Sequence, residues 1–200
     1  MKIAFLFLAI LLTFSFQLND KKMELCKELN GYYINSNYLK TIKEQKKIYP
    51  TNSVNSRLFG FSLEQENLIG DKAYLNGYKI HEGGYGSYLI YDSINNQFKN
   101  DVRVRSQQSF INEEFEIKQS TNSNIFLNYP KLNETEEYKK VKSLQIELRT
   151  YLTLGTYESK NGTIELGETG NVKGFNNYSY YELIYDFSLG IQFDAIVFYS

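Results

Sequence analysis

The side chains able to carry chemistry are few and scattered. His81 is the single histidine, and Glu82 follows it ahead of Gly83-Gly84. A histidine beside a carboxylate at a strand end could act as a general acid/base pair. No nucleophile with an identifiable partner or oxyanion donor accompanies it, so a solvated turn histidine is the simpler reading. Asp186 and Asp194 share the outward parity of the final hairpin and, in the register given below, lie roughly diagonal, within ~7–8 Å at the backbone. Carboxylates so placed could work on a glycosidic bond or hold calcium, although outer-face solubility explains them as well. Glu64 and Glu66 carry the same ambiguity.

One cysteine, Cys26, and one histidine far from it do not make a zinc set. Gly83-Gly84-Tyr85-Gly86 lacks the Lys-Ser/Thr ending of a phosphate loop and reads as a turn. The sequence therefore assigns no catalytic residue, metal or cofactor, and the chain is expected to be non-enzymatic. Asn-x-Ser/Thr triplets at Asn133, Asn161 and Asn177 would accept glycans only in a eukaryotic secretory pathway, and an asparagine-rich chain produces such triplets by chance.

What could position a site is an aromatic-rich framework. Of 200 residues, 18 are Tyr and 14 Phe, with no Trp and only 2 Pro, a composition suited to pleated sheet. With 42% hydrophobic and 22% charged residues, the chain can bury a core as one globular domain. A formal charge of −1 leaves no electrostatic footprint for nucleic acid.

Met1-Lys2 precedes the apolar run Ile3 to Leu12, and Thr13 and Ser15 are small. This is the pattern of a secretory signal peptide, expected at residues 1–15. The run is shorter than the roughly 20 residues of a membrane helix, so no membrane span is expected after its removal, and the mature chain is expected in the periplasm or outside the cell. Cys26 lacks the small-residue approach that lipidation requires and reads as a packed free thiol.

Asp20 to Leu29 reads as a short helix with Met23, Cys26 and Leu29 near one face, within an N-terminal linker over 16–30 that precedes a single domain over 31–200. Gly31 to Ile34 is a first strand. Asn35-Ser36-Asn37 can cap a helix running towards Ile48. From Leu58 on, strands alternate with turns: Phe59, Phe61 and Leu63 on one parity, then Tyr74 to Ile80, a break at Gly83 to Gly86, and a strand from Ser87 to Ile94. Phe98 to Val104, Phe110 to Lys118 and Ile125 to Leu127 follow. Asn133 to Lys142, rich in Glu and Lys, reads as a short helix or long surface loop, with Glu136 and Lys140 four apart.

Leu144, Ile146, Leu148, Leu152 and Leu154 share one parity, which predicts a strand. Asn161-Gly162 between two runs predicts a hairpin. In the final segment Tyr181, Leu183, Tyr185 and Phe187 alternate against polar positions, and Ile191 to Tyr199 resumes the pattern. A hairpin pairing Tyr185 with Phe193, Leu183 with Ala195 and Tyr181 with Val197 follows. These strands predict a mainly β fold, an antiparallel up-and-down barrel or alternatively a sandwich, with one or two short helices near the N-terminus.

Leu29-Asn30-Gly31-Tyr32-Tyr33, a short helix leading into a first strand, resembles the start of a lipocalin, with Tyr33 where that family has the tryptophan of Gly-x-Trp. A helical segment after the first strand is similar to the fatty-acid-binding proteins of the same calycin group. The resemblance implies a closed barrel whose interior binds a small apolar or amphipathic molecule. Tyr33, Tyr181, Tyr185 and Phe193 are the expected ligand wall, aromatic faces with hydroxyl tips. The alternative is an interaction module that docks a protein partner through outward Tyr180, Ile196 and Phe198.

Overall fold

The computed structural model describes residues 19–48, 57–69, 73–79, 83–101, 113–119, 123–160, 162–184 and 195–200. The expected signal segment lies outside them. Eight strands form the main sheet: β1 (Gly31–Asn35), β2 (Gly60–Leu63), β3 (Ala73–Lys79), β4 (Gly83–Asp92), β5 (Gln97–Asn100), β6 (Glu116–Gln119), β7 (Ile125–Tyr129) and β8 (Glu134–Val141). Each pairs antiparallel with the next, and β1 pairs with β8, so the sheet closes into an up-and-down barrel. Closure leaves these strands without a free edge.

One parity of each strand points inward. Tyr33 faces Phe61, Leu75 faces Ser87, Phe98 faces Ile117 and Leu127 faces Glu136. Tyr33, Phe61, Leu75, Leu89, Phe98, Phe115, Ile117, Leu127, Tyr129 and Tyr138 are buried there in one cluster. Gly83 to Gly86 does not break the chain, as the sequence suggested, but lies within β4. A Cβ at Gly86 would fall on the Tyr74 ring, which covers the backbone instead.

Helices complete the layers. The helix at 19–29, α1, sends Leu25, Cys26 and Leu29 into the interior cluster and closes the end where β1 begins. Helix α2 (Ser36–Gln45) starts where expected, because Asn35 Oδ1 accepts from the backbone N–H of Asn37 and Tyr38. A short α3 (Gln65–Ile69) follows β2. Helix α4 (Leu144–Leu152) packs with α2 against the outer face of the barrel in a second cluster containing Ile34, Tyr38, Ile42, Phe59, Leu144 and Leu148.

Two predicted elements are corrected here. Leu144 to Leu152 is helix rather than strand: Leu144 and Leu148, one turn apart, are buried together, and Ser143 caps the first turn by accepting from Ile146 N–H at 3.0 Å. Leucines at every second position also contain an i, i+4 series, and the capping serine settles the choice. Residues 134–141 form a strand rather than a helix or loop, and it is β8 that closes the barrel. Gly60 is where α4 meets the sheet, since a Cβ there would lie 2.8 Å from the Leu144 Cδ2 atom and from the Tyr33 carbonyl.

Beyond α4, β9 (Gly155–Ser159), β10 (Gly162–Leu166) and β11 (Val172–Lys173) form a three-stranded sheet, and β12 (Tyr180–Ile184) pairs with β13 (Ala195–Tyr199). The Asn-Gly hairpin is present, with Gly162 already paired to Ser159. The final hairpin stands outside the barrel. Its register also differs by one residue from expectation, with Tyr181 opposite Phe198 and Leu183 opposite Ile196. A one-residue slip turns one strand over relative to the other, so Ile196 and Phe198 share a face with Tyr181 and Leu183, while Tyr180 lies on the opposite face. The expected docking patch is therefore split between two faces.

Candidate functional site: the graded barrel interior

The four expected wall residues do not come together as a group. Tyr33 is inside the barrel, its ring stacked on Phe61 at 5.3 Å between centroids and its hydroxyl donating to the Leu29 carbonyl at 2.9 Å. Lys140 approaches the same ring at 5.8 Å and donates to the Glu28 carbonyl at 3.0 Å, which ties the end of α1 to β8. Tyr181 is buried in a separate cluster with Leu166 and Val172, its hydroxyl bonded to Gly167 and Thr153. Tyr185 and Phe193 lie outside the described residues, as do His81, Glu82, Asp186 and Asp194. Glu64 and Glu66 line an open depression of about 490 Å³ at the α1 end with Asn30, Gln65 and Ile69.

The interior changes character along the barrel axis. At the α1 end the lining is apolar: Leu25, Leu29, Leu63, Ala73 and Phe98. The Cys26 thiol is buried there, and desolvation pushes its pKa up. At the far end, where β1, β3, β5 and β7 finish, Ser87, Asn100, Tyr129 and Glu136 face inward beside the buried apolar side chains of Leu58 and Phe115. Ser87 and Asn100 are both buried. Asn100 spends its amide on the β5–β6 connection, accepting from Phe115 N–H at 2.7 Å and donating to the Glu113 carbonyl at 2.8 Å.

Arg57, just before β2, covers this end. Its guanidinium lies 4.1 Å from the Tyr129 ring centroid and pairs with Glu134 at 2.8 Å and Glu136 at 3.3 Å. The Glu136 side chain is only 11% exposed. It also accepts from the Tyr138 hydroxyl at 2.7 Å, a group within 3.0 Å of the Leu58 carbonyl as well. The Tyr129 hydroxyl, by contrast, is fully buried and makes no hydrogen bond of good geometry among the described residues, although the Glu136 carboxylate stands close enough to act on it. Desolvation first, and then the charge of Glu136, hold its pKa well above the ordinary tyrosine value. A buried hydroxyl left unpaired costs on the order of 1–3 kcal/mol, so its presence inside the barrel calls for an explanation.

Sequence reasoning missed Arg57, Tyr129, Glu136 and Tyr138. Tyr129 continues the parity of Ile125 and Leu127 and was within reach of the pattern. Tyr138 and Glu136 sit in the segment that reads as polar surface. Among the described residues no group of three or more metal-ligating side chains comes together, and no helix is long and apolar enough to cross a membrane.

These features define a closed, eight-stranded antiparallel barrel, plugged by a helix at one end and polar at the other, compatible with a calycin-like fold. Comparison with protein-family models, with curated proteins and with solved structures finds no match.

Proposed function

We propose that this is an exported, non-enzymatic barrel protein that holds a small amphipathic molecule, its apolar part against the aromatic wall and its polar part at Tyr129 and Glu136. The observation that carries the reading is the buried, unpartnered Tyr129 hydroxyl in the polar layer of an otherwise apolar interior. Aromatic rings with a few convergent polar groups are the common lining of small-molecule sites. The amino-terminal apolar run supports export.

Tyr33, stacked on Phe61, belongs to the wall of this site. Tyr181 belongs to the outer hairpin and is dropped from it. The test uses the chain purified from its native host: extraction with organic solvent and mass spectrometry should yield one dominant compound, and the emptied protein should rebind it with a stoichiometry near one. An empty extract together with no binding of alkyl alcohols, acids or amines would overturn the reading.

A further inference from the structure

We infer that the bound molecule carries an ammonium-type head group in preference to a carboxylate, an inference that rests on the barrel holding an amphipathic ligand. The polar end is charged asymmetrically. Tyr129 feels the carboxylates of Glu136 and Glu113 and the guanidinium of Arg57, and Glu134 stands opposite Tyr129 in the β7–β8 ladder. Two carboxylates thus flank one guanidinium, and a third, Glu113, acts on the Tyr129 hydroxyl. The guanidinium is engaged by two of them, Glu134 and Glu136, and the Arg57 backbone N–H also points at Glu136, at 3.2 Å. The fork that would hold an incoming carboxylate is therefore occupied. Lys131, in the adjoining turn, is paired with Glu114 at 3.2 Å and is largely solvated.

The Tyr129 hydroxyl supplies the second, independent observation. Its oxygen has lone pairs free to accept from an N–H donor. An alkyl carboxylate would bring a fourth negative charge into a partly desolvated site with no free cation among the described residues, where Coulomb terms are several times stronger than in water. An alkylammonium would meet both the surplus charge and the unpaired acceptor. A neutral alcohol would satisfy only the hydroxyl.

The probes are dodecylamine, dodecanol and dodecanoic acid, titrated calorimetrically into the emptied full-length mature protein at pH 7 below their aggregation limits. The amine should bind tightest and the acid weakest, with about a tenfold or greater gap between them. Tyr129→Phe, which keeps the ring and its packing, should weaken the amine and the alcohol by similar factors, since both use the hydroxyl, and leave the ratio between them largely unchanged. Glu136→Gln, if it folds, should narrow the gap between amine and acid. An acid that binds as tightly as the amine overturns the head-group inference. Equal affinity of alcohol and amine also overturns it while leaving the ligand reading standing. Binding of none of the three overturns both.

Discussion

Replacement of Gln145 by Leu tests how the final hairpin is held without joining the barrel. The side chains of Gln145 and Arg149, one helical turn apart on α4, face β12 as a neighbouring strand would. Gln145 Nε2 donates to the Leu183 carbonyl at 2.6 Å and Gln145 Oε1 accepts from the Leu183 N–H at 3.2 Å, while Arg149 Nη2 donates to the Tyr181 carbonyl at 2.7 Å. A turn of helix rises about 5.4 Å and two strand residues about 6.6 Å, which is close enough for long side chains to match. Leu183 is buried, so Gln145→Leu leaves one N–H and one C=O without partners. At about 1–1.5 kcal/mol each, local opening of β12 should become easier by about 2–3 kcal/mol. Amide exchange at Leu183 should then accelerate roughly 30- to 150-fold, while the Leu127 amide in the barrel keeps its protection. Unchanged exchange at Leu183 would refute the idea that α4 acts as its hydrogen-bonding edge, and equal acceleration at Leu127 would show that hairpin and barrel open as one unit.

Three further outcomes follow from buried groups. Tyr129→Phe removes the unpaired hydroxyl and should leave the ligand-free protein as stable or more stable, by up to about 1 kcal/mol in urea unfolding; a marked loss would mean the hydroxyl has a partner. Gly60→Ala would drive a methyl into the Tyr33 carbonyl and Leu144 and should cost about 1–3 kcal/mol, lowering Tm by roughly 2–10 °C in a calorimetric scan; an unchanged Tm would count against the α4 contact. Burial raises the pKa of Tyr33, Tyr129 and Tyr138 above their unfolded value near 10. A raised acid keeps its full stabilising effect below pH 10 and loses it above, at about 1.4 kcal/mol per pH unit for each tyrosine. Alkaline absorbance titration should therefore show these tyrosines ionising in a cooperative step with loss of near-ultraviolet dichroism, and smooth ionisation in a still folded protein would contradict their burial.

The barrel was legible wherever a strand keeps one wet and one dry face. β3 and β7 show it, whereas β1 and β2 are buried on both faces where α2 and α4 cover the barrel. Asn35 announced α2 because a side-chain acceptor ahead of a helix satisfies its first N–H groups. Alternation failed at Leu144 to Leu152, where a run of leucines at even spacing satisfies helix and strand alike. The hairpin register failed because a one-residue slip exchanges faces, and both parities of Ala195 to Tyr199 are apolar enough to accept either.

The failure at β8 bears on function. Tyr138 is its only fully buried residue, and the inward positions ahead of it hold Glu134 and Glu136 instead of aliphatic side chains. Those carboxylates erase the period of two that would have marked the strand. They also pair with Arg57 and set the charge around Tyr129. A strand with an apolar inner face shows a period of two, and a barrel closed by one would lack the carboxylates at this end. Local rules give way at functional sites because the side chains serve something other than packing. The residues that hide the closing strand are thus the same ones on which the proposed preference for a positively charged head group rests.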